Sequence, residues 1–282
     1  MEVPFRKVHG LGNDFVFLDL RTTPEIMTPA LARRLCHRNL GIGGDGVLVF
    51  TGSSEDPTMT IWNSDGTIPQ MCGNGIRCFV LELVRRFGIG ANPIMVRTGA
   101  GLLACRWEDL GAVGFMVEVD MGPGVSGGDD VDLATVPGLR DAAVTPRSLR
   151  GVRISTGNPH VVFFGRFAEE EFHSWGPLVT TSAVFEEGVN AEFAEITGPG
   201  RVRLVVHERG AGFTMACGTG ACATVAAGVR AGLLAPDEVV EVALPGGILR
   251  ILQRSSDGHL LMTGPAVEVF EGVIALGLQA HP

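Results

Sequence analysis

"MCGNGIRCF" at residues 71–79 and "ACGTGACAT" at 216–224 each set a cysteine before Gly-x-Gly and then run into a stretch of helix-forming composition. Laying Cys72 on Cys217 fixes an offset of 145 (217 − 72), which carries Gly73 and Gly75 onto Gly218 and Gly220. Without a gap, the same offset brings Asn13 of "GLGNDFVFLD" onto Asn158 of "STGNPHVVFFG". It also brings Asp45 onto Asn190 and Asn63 onto Glu208. Towards the ends the register drifts, and "VDMGP" (119–123) meets "LMTGP" (261–265) at an offset of 142. Chance matches one Gly-x-Gly, not a series of segments in order. A repeat of this kind decides the fold before any local reading does. The chain is two tandem halves, expected at 1–130 and 131–282, with the tail 265–282 packing back on the first. The seam is placed in the Gly-, Pro- and Asp-rich residues 122–151, which show no sustained period and read as a connection.

Within each half the elements follow one order. "FVFLDL", "GVLVF" and "TMTIW" read as strands and are matched later by "HVVFFG" and "VRLVVH". Helices are expected over 73–87 and 218–234. The second is small or apolar on nearly every side, and a helix without a polar face must be surrounded. A further helix is expected in "TPALARRLCHR", with Thr28 as N-cap and Pro29 in the first position. The expected class is therefore α+β: two pseudo-symmetric α/β halves, each a sheet wrapped around a central helix, with the active site in the cleft between them.

Bulk properties exclude other readings. The 282 residues carry a net charge of −9, which disfavours a nucleic-acid surface. The start "MEVPFRKVHGLGNDF" lacks the pattern of a signal peptide, and no apolar run is long enough to span a membrane. Six cysteines in a chain of this length do not make a disulfide scaffold, and a reduced, cytoplasmic protein is expected. "GIGGDG" (41–46) fits G-x-G-x-x-G, but a helix precedes it and a strand follows, so it reads as a turn. The spacings Cys72/Cys78 and Cys217/Cys222 are not those of zinc knuckles, and no metal is expected. Cys36, Cys78, Cys105 and Cys222 read as core fillers.

A cysteine at a helix N-terminus sits beside unpaired N–H groups and the positive end of the dipole, so a lowered thiol pKa is expected. The same N–H groups suit a carboxylate. Taken alone, His160 is a satisfied strand histidine and Glu208–Arg209 a surface ion pair; their place beside a duplicated cysteine raises both as candidates. Two such motifs brought face to face by pseudo-symmetry would hold an α-carbon between two thiols, one removing a proton and the other delivering one. Amino-acid racemases that use pyridoxal phosphate hold it by a lysine Schiff base. The only lysine here is Lys7, outside the cysteine motifs, so a cofactor-free reaction is expected.

"KVHGLGNDFVFLD", "NSDG", "MCGNGIRCF", "GNPHVV" and "ERGAGFTMACGTGA", in order over nearly the whole chain, together resemble the diaminopimelate epimerase family. The resemblance implies interconversion of LL- and meso-2,6-diaminopimelate on the way to lysine and peptidoglycan, without cofactor or metal, by a homodimer. By motif it implies Cys72 and Cys217 as acid/base thiols, with His160 and Glu208 assisting the proton transfers. Gly73, Asn74, Gly218 and Thr219 would bind the reacting carboxylate. Asn13, Asn63, Asn158, Asn190 and Arg209 would hold the distal end, with Glu208 meeting an amino group. The chain departs from the family pattern at "GTIPQMC", at "FEEGVNAEF" and at Gly46.

Two other readings stand beside this one. A proline or hydroxyproline racemase on the same scaffold would also use two cysteines, but usually carries histidine where this chain has Asn74. A non-catalytic redox or binding protein would use the thiols as a switch and turn over nothing.

Overall fold

The computed structural model describes residues 2–275. It divides into two compact units, one running up to Val119 and resuming at Pro265, the other Asp120–Gly264. The sequence reading had placed the division at 130/131. Residues 120–130 fall in the second unit because Val125 and Ser126 pair with Ser155 and Ile154. Residues 276–282 of the expected tail lie outside the described residues.

The first unit runs β1 (Glu2–Gly10), β2 (Asn13–Asp19), α1 (Pro29–Cys36), β3 (Gly46–Gly52), β4 (Pro57–Asn63), α2 (Gly73–Arg85), β5 (Ile94–Thr98), β6 (Gly101–Asp109) and β7 (Phe115–Pro123). Neighbours β1–β2, β3–β4, β5–β6 and β6–β7 are antiparallel, while β2–β3 and β4–β5 are parallel. The parallel steps are the two spanned by α1 and α2, since parallel neighbours need a crossover.

In the second unit the order is β8 (Val125–Ser126), β9 (Val131–Asp132), β10 (Arg150–Ser155), β11 (Pro159–Phe164), α3 (Glu169–Thr180), β12 (Asn190–Gly198), β13 (Arg201–Glu208), β14 (Gly212–Phe213), α4 (Gly218–Arg230), β15 (Val239–Leu244) and β16 (Gly247–Gln253). The alternation repeats: β10–β11, β12–β13 and β15–β16 antiparallel, β11–β12 and β13–β15 parallel. Helices α2 and α4 have 13 residues each and begin at the two Gly-x-Gly motifs. The last strand, β17 (His259–Ala275), pairs antiparallel with β1 from Glu2↔Ala275 to His9↔Val267.

Strands β2 and β3 are buried on both faces, which is why "FVFLDL" and "GVLVF" read as continuous apolar runs. Val16, Leu18, Val47 and Val49 pack with Ala32 and Leu35 of α1. Phe17 and Phe50 turn the other way, onto Phe79 of α2, with ring centroids 5.8 and 5.5 Å apart. In α2 every residue from Gly73 to Leu83 is buried, and in α4 only Thr219 breaks the burial from Gly218 to Gly228. Burying each large apolar side chain stabilises the fold by about 1.5–3 kcal/mol. The expected N-cap holds: Thr28 accepts the Leu31 N–H at 3.2 Å. "GIGGDG" forms the turn from α1 into β3, with Gly43 at φ 82°.

Two features differ from the sequence reading. Helix α3 was not expected, because Pro177 lies inside it and Ala168 stands at its N-cap. There Glu171 supplies the missing cap by accepting the Ala168 N–H at 2.8 Å. Residues 122–151 are more than a connection: Leu133, Val136 and Leu139 are buried in one core with Trp175, Phe163 and Phe193. Two 3₁₀ turns, Leu133–Thr135 and Leu139–Asp141, carry the leucines, with Val136 capping the first, and their three-residue period matches neither α-helix nor strand.

One buried carboxyl gives the first unit a pH dependence. Glu82 of α2 lies 4.0 Å from Arg6 Nε, and its oxygens make no hydrogen bond among the described residues. Burial, and after it the charge of Glu268, raises it from 4.5 to about 7. Between those values the folded protein keeps a proton that the unfolded chain has lost, so stability falls as pH rises through the window. The penalty above it is on the order of 3 kcal/mol. Glu82→Gln is therefore expected to raise Tm at pH 8 by roughly 5 °C more than at pH 4.5. Thermal melts at both pH values check this, and equal shifts would contradict it.

Candidate active site

Both motif cysteines stand at the N-cap of the enclosed helix of their own unit. Cys72 (φ −139°, ψ 116°) and Cys217 (φ −123°, ψ 108°) are extended. Each sulfur accepts the N–H three residues on, from Gly75 at 3.4 Å and from Gly220 at 3.3 Å. Glycine at that third position is a matter of space. A Cβ on Gly75 would stand 2.9 Å from Leu48 Cδ2 of β3. On Gly220 it would stand 3.0 Å from Glu192 Oε1 and 3.2 Å from Cys217 Sγ.

In the first unit, β1 and β2 join through Leu11 (φ 57°) and Gly12 (φ 83°), both left-handed as a two-residue type I′ hairpin requires. The turn delivers Asn13 to the start of β2. Its Oδ1 lies 3.9 Å from Cys72 Sγ and accepts Asn74 Nδ2 at 3.1 Å, while its Nδ2 donates to Asp45 at 2.7 Å. Arg38 clamps both Asp14 and Asp45, and Lys7 reaches Asp14 and the Gly43 carbonyl. Burial alone would raise the Asp14 carboxyl; hydrogen bonds from Arg38 and Lys7, with their charges, reverse this and hold it at about 2. Lys7, read from sequence as outside the cysteine motifs, thus belongs to the support of Asn13. Asn63 donates to Thr67 at 2.9 Å and adjoins the group through Ser64, whose N–H donates to the Asp45 carbonyl at 3.1 Å.

Arg77, which sequence reasoning missed, is wholly buried beneath the first turn of α2. Its guanidinium donates to the Gly73 carbonyl (3.0 Å), to Asn74 Oδ1 (3.0 Å) and to the Pro265 carbonyl (3.1 Å). It fixes the orientation of Asn74, which then presents Nδ2 to Asn13.

In the second unit the assigned residues form a chain of contacts. His160 Nδ1 lies 2.7 Å from Glu192 Oε1, and Nε2 lies 2.9 Å from Asn158 Oδ1. Asn158 Nδ2 donates to Thr219 Oγ1 at 3.4 Å, and Thr219 Oγ1 is 3.4 Å from Cys217 Sγ. Asn190, opposite His160 in register, accepts the Arg209 N–H at 2.9 Å. The Arg209 side chain is exposed, and Glu208 accepts from Thr214 Oγ1 at 2.5 Å. Gly218 is the buried first residue of α4, as Gly73 is of α2.

Burial lowers His160 to about 3, aided by Arg209 and opposed by Glu208. Glu192 is pushed well above the usual carboxylate range by burial and then by Glu208; the Val161 amide pulls the other way and loses. Cys217 corrects the expected lowered thiol. Burial first, then Glu208 and Glu192, raise it well above 9, outweighing the hydrogen bonds from Thr219 and Gly220. Cys217 rests as the thiol. The core-filler reading holds for Cys36 and Cys105, which burial raises to about 11 and about 12. Glu192 was also missed. Its signal was an acid two residues from Asn190 in "NAEFAEI", which places both on one face of the strand.

Arg77→Met should destabilise the protein by about 3 kcal/mol or more, because a buried polar cluster loses its cation. Arg77→Lys should recover less than half, since it lacks the planar fork. Urea unfolding measures both, and a Met variant within about 0.5 kcal/mol of the parent would remove Arg77 from this role.

The sequence model of the diaminopimelate epimerase family matches residues 5–126 and 152–269. A diaminopimelate epimerase of Microcystis aeruginosa is 41% identical over 285 residues, covering 97% of this chain and 99% of that protein. One from Desulfitobacterium hafniense is 41% identical, covering 95% and 96%. The chloroplastic diaminopimelate epimerase of Oryza sativa subsp. japonica is 40% identical over 95% of this chain and 79% of its own. Among solved structures, a phenazine biosynthesis protein of the PhzF family from Bacillus anthracis matches with a TM-score of 0.73 at 13% identity, over 98% and 100% of the two chains. A hydroxyproline epimerase from Agrobacterium vitis, with bound trans-4-OH-L-proline, matches at 0.70 and 16%, over 98% and 93%. At such identities the likeness is one of fold.

Proposed function

This chain belongs to the diaminopimelate epimerase family, and we propose that it interconverts LL- and meso-2,6-diaminopimelate through two cysteine thiols, in lysine and peptidoglycan precursor synthesis. The carrying observation is the pair of N-cap cysteines on enclosed helices, Cys217 being held as the thiol. Inversion at an α-carbon takes a proton from one face and returns one to the other, so it needs two groups in opposite protonation states. With Cys217 resting as the thiol, it is assigned as the acid for one direction of the reaction and Cys72 as its partner base, the roles exchanging for the reverse direction.

The reacting carboxylate is assigned to the first turns of both helices, at Gly73 and Asn74 and at Gly218 and Thr219, where N–H groups and the dipole stabilise the charge that grows on deprotonation. Asn13, Asn63, Asn158, Asn190 and Arg209 are assigned to the distal end, a zwitterion that calls for a guanidinium and amide oxygens. Glu208 is assigned to an ammonium group, and with His160 to proton handling. The chemistry is assigned to the chain's own groups, without metal or cofactor. The hydroxyproline epimerase shares the fold at an identity too low to carry a substrate across; Asn74 after the first Cys-Gly and Arg209 favour the longer, doubly charged substrate. A cytoplasmic homodimer belongs to the same proposal, supported by the exposed Val269, Phe270 and Val273 on β17. Light scattering of the purified chain should give twice the mass of one chain.

Purified, reduced protein in heavy water with LL-diaminopimelate should yield the meso isomer carrying solvent deuterium at the α-carbon. Cys72→Ala and Cys217→Ala should each lower kcat by roughly 10³-fold or more. Normal turnover in either variant would sink the two-thiol mechanism. Thiol-dependent conformational change without exchange would return the protein to the redox-switch reading.

A further inference from the structure

The contacts around His160 leave one proton whose presence or absence decides the direction of every hydrogen bond between β12 and Cys217. It lies on the 2.7 Å contact between Glu192 Oε1 and His160 Nδ1, two groups with no exposed side-chain surface. With a neutral ring two arrangements are available, the second holding one proton more than the first. If Glu192 is ionised, a neutral His160 carries its hydrogen on Nδ1, and Nε2 becomes an acceptor. Asn158 must then turn its amide nitrogen to Nε2 and its oxygen to Thr219. The Thr219 hydroxyl would donate to Asn158 and be lost to the sulfur.

If Glu192 carries the proton, the polarity reverses throughout. Its O–H donates to Nδ1, and Nε2–H donates to Asn158 Oδ1 at 2.9 Å. Asn158 Nδ2 then donates to Thr219 Oγ1, and the Thr219 hydroxyl is left to donate to Cys217 Sγ, both at 3.4 Å. Geometry favours this second arrangement. With both side chains wholly buried, a neutral acid avoids the desolvation of a carboxylate, which the Val161 amide does not offset, and equally avoids an imidazolium–carboxylate ion pair. The charged groups felt by His160, Glu208 of β13 and Arg209 beside it, oppose one another. The Glu208 charge also acts on Glu192, where it favours the neutral acid.

We propose that Glu192 is a positioning residue that, as a neutral acid, fixes His160 as the Nε2–H tautomer and so aims the Thr219 hydroxyl at Cys217. The consequence falls on the thiolate that Cys217 becomes when it delivers its proton. A hydroxyl and the Gly220 N–H already face the sulfur, so the new charge meets two donors without reorganisation. Glu192 also accounts for glycine at position 220, because a Cβ there would press on the carboxyl and the sulfur together. The effect on turnover rests on the reading of Cys217 as an acid/base thiol; the tautomer does not.

The test uses the full chain with ¹⁵N-labelled histidine, the His160 signals being identified by their loss in His160→Asn. The unaltered protein at pH 7.5 should show a neutral ring protonated on Nε2. An Nδ1–H tautomer or an imidazolium overturns the proposal without any variant at position 192. Glu192→Gln can still donate to Nδ1 through its amide and should keep the tautomer, with kcat within about threefold of the parent. Glu192→Met has no donor and should lose the tautomer preference, with kcat down roughly tenfold or more and KM little changed, the size expected for one misdirected hydrogen bond at the transition state. Equal tautomers in the Gln and Met variants would also overturn it. A tautomer that responds as stated while kcat does not would leave the positioning of the ring standing and break its link to Cys217.

Discussion

A helix enclosed on every side by its own sheet must still satisfy the N–H groups of its first turn, and the rest of this structure depends on how that is done. Both units enclose such a helix, and in both a cysteine sulfur takes the third N–H. Sulfur is a weak acceptor and does not rank with Ser, Thr, Asp or Asn as an N-cap. The loss is tolerable because burial rather than capping holds these helices: α2 contributes Ile76, Phe79, Val80 and Leu83 to the core, and α4 contributes Ala223, Val225 and Ala227. Enclosure thus frees the N-cap to be chosen for chemistry. It also dictates the glycines that follow, since the first turn lies tight against β3 in one unit and against Glu192 in the other.

Much of this was legible in the sequence because duplication prints the same pattern twice. The offset of 145 that joins Cys72 to Cys217 also joins the first residues of α2 and α4. What escaped reading did so for identifiable reasons. Helix α3 carries Pro177 and takes its cap from Glu171 rather than from an N-cap side chain. The segment 122–151 buries Leu133, Val136 and Leu139 on and beside 3₁₀ turns, whose period matches neither α-helix nor strand. Arg77 and Glu192 were hidden by burial itself: in strands and helices with no solvent face, alternation gives no cue to which side a polar group takes.

Those two hidden residues mark where the halves have diverged. Under the offset, Arg77 corresponds to Cys222, and Glu192 to Val47; His160 corresponds to Phe15, and Glu208 to Asn63. One helix start therefore rests on a buried guanidinium, while the other is bordered by buried acid and imidazole. Each arrangement costs several kcal/mol in desolvation that an apolar core would avoid. A buried polar group found in only one of two duplicated positions is not dictated by the shared topology, because the other copy reaches that topology with a different residue there.

The asymmetry has a chemical reason in the proposed substrate. The two enantiomers of a simple amino acid are mirror images, and a site that interconverts them could keep mirror-related halves. LL- and meso-diaminopimelate are diastereomers: the distal centre stays fixed while the reacting one inverts. In the proposed reading, the groups assigned to the distal end must therefore favour one side, as Arg209 does where its counterpart is Ser64. On that reading a charged group on one side biases the two thiols, and the neutral Glu192–His160 pair we propose adds hydrogen-bonding direction there without adding charge. In the proposed arrangement, an acid kept protonated by burial lets the second unit direct four successive hydrogen bonds towards Cys217 while Glu208 and Arg209 are the charges assigned to the substrate.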